Sequence, residues 1–413
     1  MRICVLVSEQ IDGRIVAMNI LLITTLYPAY KNQSRMESSY AVHYFAKEWR
    51  KNHCVSVMRI FPVYPKLMFP FGKVRRSEQI NTFPDYFEAD GVSVKRIPIK
   101  KTPKIDYSLS AIKKAASAII NYFEKDYVPD LIICDMLNPS IYIAQIIKSL
   151  FGSKLVASLH FTDILYLKKE KNFTRFRTVE PYLDKIVFRS NSIEKIYWQV
   201  VGIQKDTNKY CTIPFGVDED VIASREMLVQ KIKNKSFEIL TACSLIKLKN
   251  VDVLIKAFSS FCSNERYRLR IIGEGPEKEN LIKLSESLGI LDRVIFEGEK
   301  TREEVLRAMA KADVFALVSS PETFGLVYVE AMAQGCITIG SAGEGIDGVL
   351  VDNFNGFLCK PGVVDDLSNT LQKVFSLGDD RKLEIINNAK VTVERLTNES
   401  LADLFLDKVF SCY

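Results

Sequence analysis

The sequence predicts an α/β protein made of two doubly wound parallel-sheet domains. Three observations carry this reading. Short apolar runs alternate with longer amphipathic segments, the pattern of parallel strands joined by crossover helices. The 413 residues suffice for two such domains. The alternation also occurs twice, on either side of the turn Pro214-Phe215-Gly216-Val217-Asp218.

In chain order, the apolar run from Met18 predicts a first buried strand that leads into a loop at Tyr27-Pro28, and a helix over 39–50 follows. Further strands are predicted over 55–60, 131–134, 154–159, 185–188 and 210–213. After the turn come strands over 237–242, 268–272, 294–296, 314–318 and 337–340, with amphipathic helices over 250–262 and 277–288. A helix over 326–334 starts after Gly325 and stops at Gly335, and apolar residues at helical spacing predict a last helix near 398–410. The expected domains are 1–215 and 216–395. Residues 1–17 read as an addition before the first strand, either a mis-assigned start or an extra strand.

Composition excludes several classes. A hydrophobic content of 47% with 26% charged residues describes a globular chain rather than a disordered one. Every apolar run falls far short of the roughly 20 residues that cross a bilayer, and no signal-peptide pattern is evident. The nine cysteines are scattered without a CxxC, which fits buried thiols in a reducing cytoplasm. Histidines occur only at 43, 53 and 160, so a His-built metal site is not expected. The net charge of +6 is unevenly spread. Residues 1–215 hold 32 Lys and Arg against 19 Asp and Glu, and residues 216–413 hold 24 against 31. A basic first half suits an anionic partner such as a membrane surface or a phosphate-bearing acceptor; no nucleic-acid motif is present. Two stretches, 66–76 and 168–177, mix bases with aromatics and suit contact with anionic lipid as readily as they suit a solvated loop.

Two glutamates frame Pro321-Glu322-Thr323-Phe324-Gly325-Leu326-Val327-Tyr328-Val329-Glu330. One carboxylate precedes a helix N-terminus and the other lies inside the helix. Between them lie backbone N–H groups at the positive helix end, suited to phosphate oxygens. A carboxylate accepts from sugar hydroxyls, so the pattern suits a nucleotide-sugar. The plain alternative is a buried strand, a turn and a capped helix. Other candidate loops are Leu159-His160-Phe161-Thr162-Asp163, Ser244-Leu245-Ile246-Lys247-Leu248-Lys249, Gly273-Glu274-Gly275-Pro276 and Glu297-Gly298-Glu299-Lys300, each at the end of a predicted strand. The Gly-x-Gly lacks the third glycine of a dinucleotide fingerprint. Asp218-Glu219-Asp220 has chelating spacing but reads as a solvated acidic run.

The string from Ser319 to Gly335, with these flanking loops, resembles retaining family-4 glycosyltransferases, and most strongly so from about Leu240 to Leu358. The resemblance implies the GT-B fold, two doubly wound Rossmann-like domains facing across a cleft, with the C-terminal helix, residues 396–413, packing back on the first. It implies a sugar moved from a nucleoside-diphosphate donor to an acceptor hydroxyl, with no metal or other cofactor. It places His160, Lys249 and Glu322 at the reacting centre. Ser244, Gly273, Lys300, the amides of Phe324, Gly325, Leu326 and Val327, and Glu330 come to the donor, Glu330 toward the ribose. Asp163 would hold the His160 loop, and Asp352 to Leu358 would form a hairpin in which Gly356 is a turn residue. The sequence departs from the family where Ser244 stands at a position usually held by Arg, for which Lys247 is a possible substitute, and where the loop over 29–39 has no glycine. The expected partners are a nucleotide-sugar and a glycan or lipid-linked acceptor, at the cytoplasmic face of the plasma membrane. A catalytically degenerate scaffold, a sugar phosphorylase or an epimerase on the same fold are the alternatives.

Overall fold

Both sheets form where the apolar runs lie. A computed structural model describes residues 17–28, 33, 39–65, 84–123, 127–202, 208–233, 237–261 and 266–410. It separates into two units, one of residues 1–189, 193–213 and 402–413, the other of 190–192 and 214–401. The addition at 1–17 (all but Ala17), the loop at 29–39 (all but Gln33 and Ser39) and the basic stretch 66–76 lie outside the described residues.

The first unit holds β1 (Asn19–Thr24), β2 (Cys54–Val63), β3 (Tyr86–Ala89), β4 (Val92–Lys100), β5 (Leu131–Asp135), β6 (Lys154–Leu159), β7 (Lys185–Phe188) and β8 (Tyr210–Thr212). They form one sheet in the order β3-β4-β2-β1-β5-β6-β7-β8. Central β1 pairs on both sides, Ile20 with Val55 and with Leu131, and all six of its residues are buried. A strand covered on both faces needs the continuous apolar run seen here. Only β3 runs antiparallel. Asp90 and Gly91, at φ 48° and 77°, make the tight β3–β4 turn. An Asp-Gly pair between apolar runs is a hairpin signal, so this unpredicted hairpin was legible. From Ala402 onward the last helix, Asn398–Phe410, belongs to this unit. Its Phe405 packs 5.2 Å from Trp49, whose indole N–H donates to the Ala402 carbonyl at 2.9 Å.

The second unit holds β9 (Glu238–Ala242), β10 (Arg268–Ile272), β11 (Val294–Gly298), β12 (Val314–Ala316), β13 (Ile337–Ser341) and β14 (Phe357–Cys359). Their order is β11-β10-β9-β12-β13-β14, all parallel. The strand predicted over 314–318 stops at Ala316, although Leu317 and Val318 are also buried. The expected hairpin over 352–358 is instead a turn closed by Asn355, which accepts from the Val351 N–H at 2.7 Å, followed by β14. β14 pairs parallel to β13, so two hairpin arms do not form. Gly356 does more than turn the chain. A Cβ there would sit 2.3 Å from Leu350 and 2.6 Å from the Thr338 carbonyl, which makes glycine a packing requirement.

Parallel sheets gather their loops beyond the strand C-termini, where ligands bind in such folds. All the candidate loops lie at those ends.

Candidate functional site

In the second unit the site is built on strand ends sewn together by backbone. The loops after β9, β10 and β11 exchange hydrogen bonds: Cys243 N–H to the Ile272 carbonyl at 3.0 Å, Gly273 N–H to Gly298 at 2.8 Å, and Leu245 N–H to Glu274 at 2.9 Å. Such close approach demands glycine. At Gly273, with φ 139°, a Cβ would lie 1.9 Å from the Cys243 carbonyl oxygen. This glycine serves the site floor whether or not it touches a nucleotide.

Lys249 ends a short 3-10 turn, Lys247–Lys249, which left-handed Asn250 (φ 49°) terminates. The Asn250 side chain donates to the Val318 carbonyl at 2.8 Å, and Ser320 N–H donates to Leu248 at 2.9 Å. These bonds dock the lysine turn on the loop after β12. There the Lys249 ammonium meets Glu322 Oε2 at 2.6 Å, and Ser319 Oγ donates to the same oxygen at 2.9 Å. Two residues 73 apart in sequence are thus brought together. Both side chains are mostly buried, at 22% and 12% exposure, so their charges are only partly screened. Lys247 is exposed and Ser244 half-buried. Beside the pair, burial raises the Cys243 thiol to about 12, offset in part by Lys249, which leaves a neutral thiol there.

Glu344 is a site residue that sequence reading missed. Its carboxylate accepts from Ser320 Oγ at 2.7 Å and from the Glu322 N–H at 2.8 Å, while Gly345 N–H donates to the Glu322 carbonyl at 3.1 Å. A Cβ on Gly345 would strike Thr323 at 2.4 Å. The available signal was Gly343-Glu344-Gly345 just past a strand end.

Gly325, at φ 78°, caps the helix Leu326–Ala333, and a Cβ on it would lie 2.4 Å from the Tyr328 ring. Leu326 and Val327 are half-buried at the helix start, and Phe324 is buried. The first N–H groups of a helix lack intrahelical partners, so this end favours an anion. Glu330, on the same helix, is 8% exposed and accepts from Arg302 Nε at 2.7 Å. Arg302 Nη1 also donates to Asp218 at 2.9 Å, and the Asn398 side chain donates to the other Asp218 oxygen at 2.7 Å. Asp218 is therefore a half-buried structural carboxylate, contrary to the expected solvated run, whereas Glu219 and Asp220 are exposed as expected. Lys300 stands 3.9 Å from Glu297 on the loop after β11. A cavity of about 720 Å³ between the helices Arg225–Lys233 and Arg302–Lys311 is lined by none of the predicted residues.

In the first unit His160 follows β6. Its Nε2 lies 2.7 Å from Asp135 Oδ1 at the end of β5. Asp135 also accepts from Thr24 Oγ1 at 3.2 Å and Ser158 Oγ at 3.3 Å. Arg189, wholly buried after β7, donates to Ser158 Oγ at 2.9 Å. Burial alone would lower the His160 pKa, but the Asp135 charge and hydrogen bond outweigh it and raise it. Burial would raise Asp135, yet His160, Arg189 and Thr24 hold it below its ordinary value. Asp163 holds the loop as expected, accepting from the backbone N–H of Leu137 at 2.8 Å and of His160 at 2.9 Å. Burial raises its pKa to about 6. Asp135 and Arg189 went unrecognised because they are single polar residues at strand ends, without a local motif.

The two parallel-sheet units are those of the GT-B fold. HepE of Anabaena, solved with UDP and glucose, superposes at a TM-score of 0.67 and 19% identity, covering 95% of this chain and 99% of that one. The lipopolysaccharide outer core galactosyltransferase WaaB superposes at 0.65 and 20% identity, covering 96% and 100%. In sequence, residues 224–392 match the family described as glycosyl transferases group 1. N-acetyl-alpha-D-glucosaminyl L-malate synthase of Bacillus anthracis is 31% identical over 254 residues, 59% of this chain. The chain spans 64% of the length of that relative. Among the described residues, no helix is long and apolar enough to cross a membrane, and no cluster of His, Cys, Asp and Glu is placed to hold a metal.

Proposed function

We propose that the protein is a retaining glycosyltransferase that moves a sugar from a nucleoside-diphosphate sugar to an acceptor hydroxyl during surface polysaccharide assembly, at the cytoplasmic face of the membrane. The observation that carries this reading is the Lys249–Glu322 pair at 2.6 Å, beside the positive end of the helix Leu326–Ala333. A cation and helix amides at one place suit the charge that grows on a departing diphosphate. Glu322, pinned by Lys249 and Ser319, offers its carboxylate to a sugar hydroxyl. Glu330 would accept from the ribose, and Gly273 and Lys300 flank the nucleotide. His160, oriented by Asp135, would meet the transferred sugar. The acceptor hydroxyl attacks from the face of the leaving group, whose phosphate takes the proton. The UDP in HepE and the lipopolysaccharide role of WaaB support the donor and pathway class by analogy.

A binding protein without turnover is the second reading, favoured by Ser244 at the usual Arg position. Thermal stability screened against UDP, GDP, ADP and their sugars, followed by product analysis, tests both. Donor-specific stabilisation with release of the nucleoside diphosphate and an unchanged anomeric configuration is expected. An inverted product would overturn the retaining assignment, and binding without release would favour the second reading.

A further inference from the structure

We propose that the first unit carries a site for a compact anion, a phosphate or carboxylate borne by the acceptor, in the cavity at the ends of β2 and β4. This rests on the glycosyl-transfer reading only in making the acceptor the carrier. The cavity holds about 360 Å³, and its lining includes Tyr64, Lys100, Lys101, Thr102, Asp106 and Ser108.

Its charge is unbalanced. Asp106 supplies negative charge, but that carboxylate is already occupied. One oxygen accepts from the Tyr107 N–H at 2.8 Å and the Asn138 amide at 3.0 Å, and the other from Tyr166 at 3.2 Å and Arg175 at 2.6 Å. Arg175 alone balances its charge. Lys101 is then left over: its ammonium gives one donor to the Ile105 carbonyl at 2.6 Å and lies 4.1 Å from the Tyr107 ring centre, and among the described residues no carboxylate pairs with it. Arg59, which interacts electrostatically with Tyr107, is bonded among the described residues to carbonyls, those of Tyr27 and Ile60. Burial lowers the pKa of both cations, Asp106 opposing the effect at Lys101 and Arg175 adding to it. Ser108 caps the helix Leu109–Ile120, whose positive end therefore faces the same lining. Half-buried cations without a counter-charge are costly, and a small anion removes that cost.

The cavity connects to the proposed chemistry within its own unit. His160 opens the helix Phe161–Leu167, and Tyr166 on that helix bonds Asp106. Six residues of helix rise about 9 Å, the scale of one sugar ring with its substituent.

Calorimetric titration of the full chain with inorganic phosphate, and separately with malonate, tests the site. Saturable uptake of one of them is expected, and which one binds names the anion class. Lys101→Met should weaken it by about 10-fold or more, the scale of one charge-assisted contact. Lys114→Met, on the exposed face of the neighbouring helix, should leave it unchanged. No saturable uptake by folded protein, or equal uptake in Lys101→Met, would overturn the site. A loss confined to Lys249→Met would place the anion in the second unit and also overturn it. UDP binding, measured on the same samples, reports separately on the donor reading.

Discussion

Lys249 and Glu322 neutralise one another in a mostly buried place, so each is also the other's solvation. Lys249→Ala or Glu322→Ala is expected to cut transfer by roughly 100-fold or more, the scale of one lost charge stabiliser. Lys249→Ala should also cost about 1–3 kcal/mol of stability, because among the described residues the Glu322 carboxylate then keeps only Ser319. Steady-state kinetics with urea unfolding checks both, and near-normal rates in both variants would remove the pair from the site. In the first unit the His160–Asp135 pair has a defined pH window. The raised histidine contributes stability that is full below its unfolded pKa, near 6.5, and fades as pH rises through its folded value. The lowered Asp135 contributes above about 3.8 and fades as pH falls through its folded value. Asp163, raised to about 6, likewise favours the folded state less as pH rises through that value. Wild type should therefore lose more stability than Asp135→Asn between pH 6 and 8.5. Equal losses in urea titrations would show that the pair carries no linkage.

Among elements, strand centres were the legible part. The runs predicted at 154–159, 185–188 and 268–272 match the observed strands residue for residue, because each is built mainly on buried apolar residues, with Lys154, Lys185, Arg268 and Arg270 only half-buried. The edges were less legible: half-exposed β3 is signalled only by the Asp90-Gly91 turn that follows it, and the three-residue β14 is too short to show a period. The site was legible where a local string sets geometry, as around Gly325, and illegible where it depends on contacts distant in sequence, as with Glu344, Arg302 and Arg189. The glycines carry the element-scale prediction. Gly345→Ala would place a methyl group 2.4 Å from the Thr323 backbone, so the loop bearing Glu322 must move. Stability should fall by about 1–3 kcal/mol, the range of overpacking, with donor binding weakened more than by Gly378→Ala, where φ is −66° and a Cβ meets nothing within 4 Å. Equal effects at the two glycines, by thermal melts with and without nucleotide, would show that the loop does not depend on this approach.

At the scale of the whole molecule, the chain is one unit interrupted by another. The second unit begins at Pro214 and ends at Leu401, three residues from its neighbour at 190–192 aside. Its two ends lie side by side: Val217 N–H donates to the Leu396 carbonyl at 3.0 Å, Asn398 N–H donates back to Val217 at 2.8 Å, and Asp218 binds the Asn398 side chain. Gly216 is required there, since a Cβ would lie 2.4 Å from the Leu396 carbonyl. The same Asp218 reaches Glu330 through Arg302. A segment whose ends are already clasped has paid its loop-closure entropy within its own fold, as inserted domains do. Residues 214–401 cut out and expressed alone should therefore fold and keep the nucleotide affinity of the parent. They should also tolerate new termini in a surface loop once the old ends are joined, which would make the donor half a transplantable module.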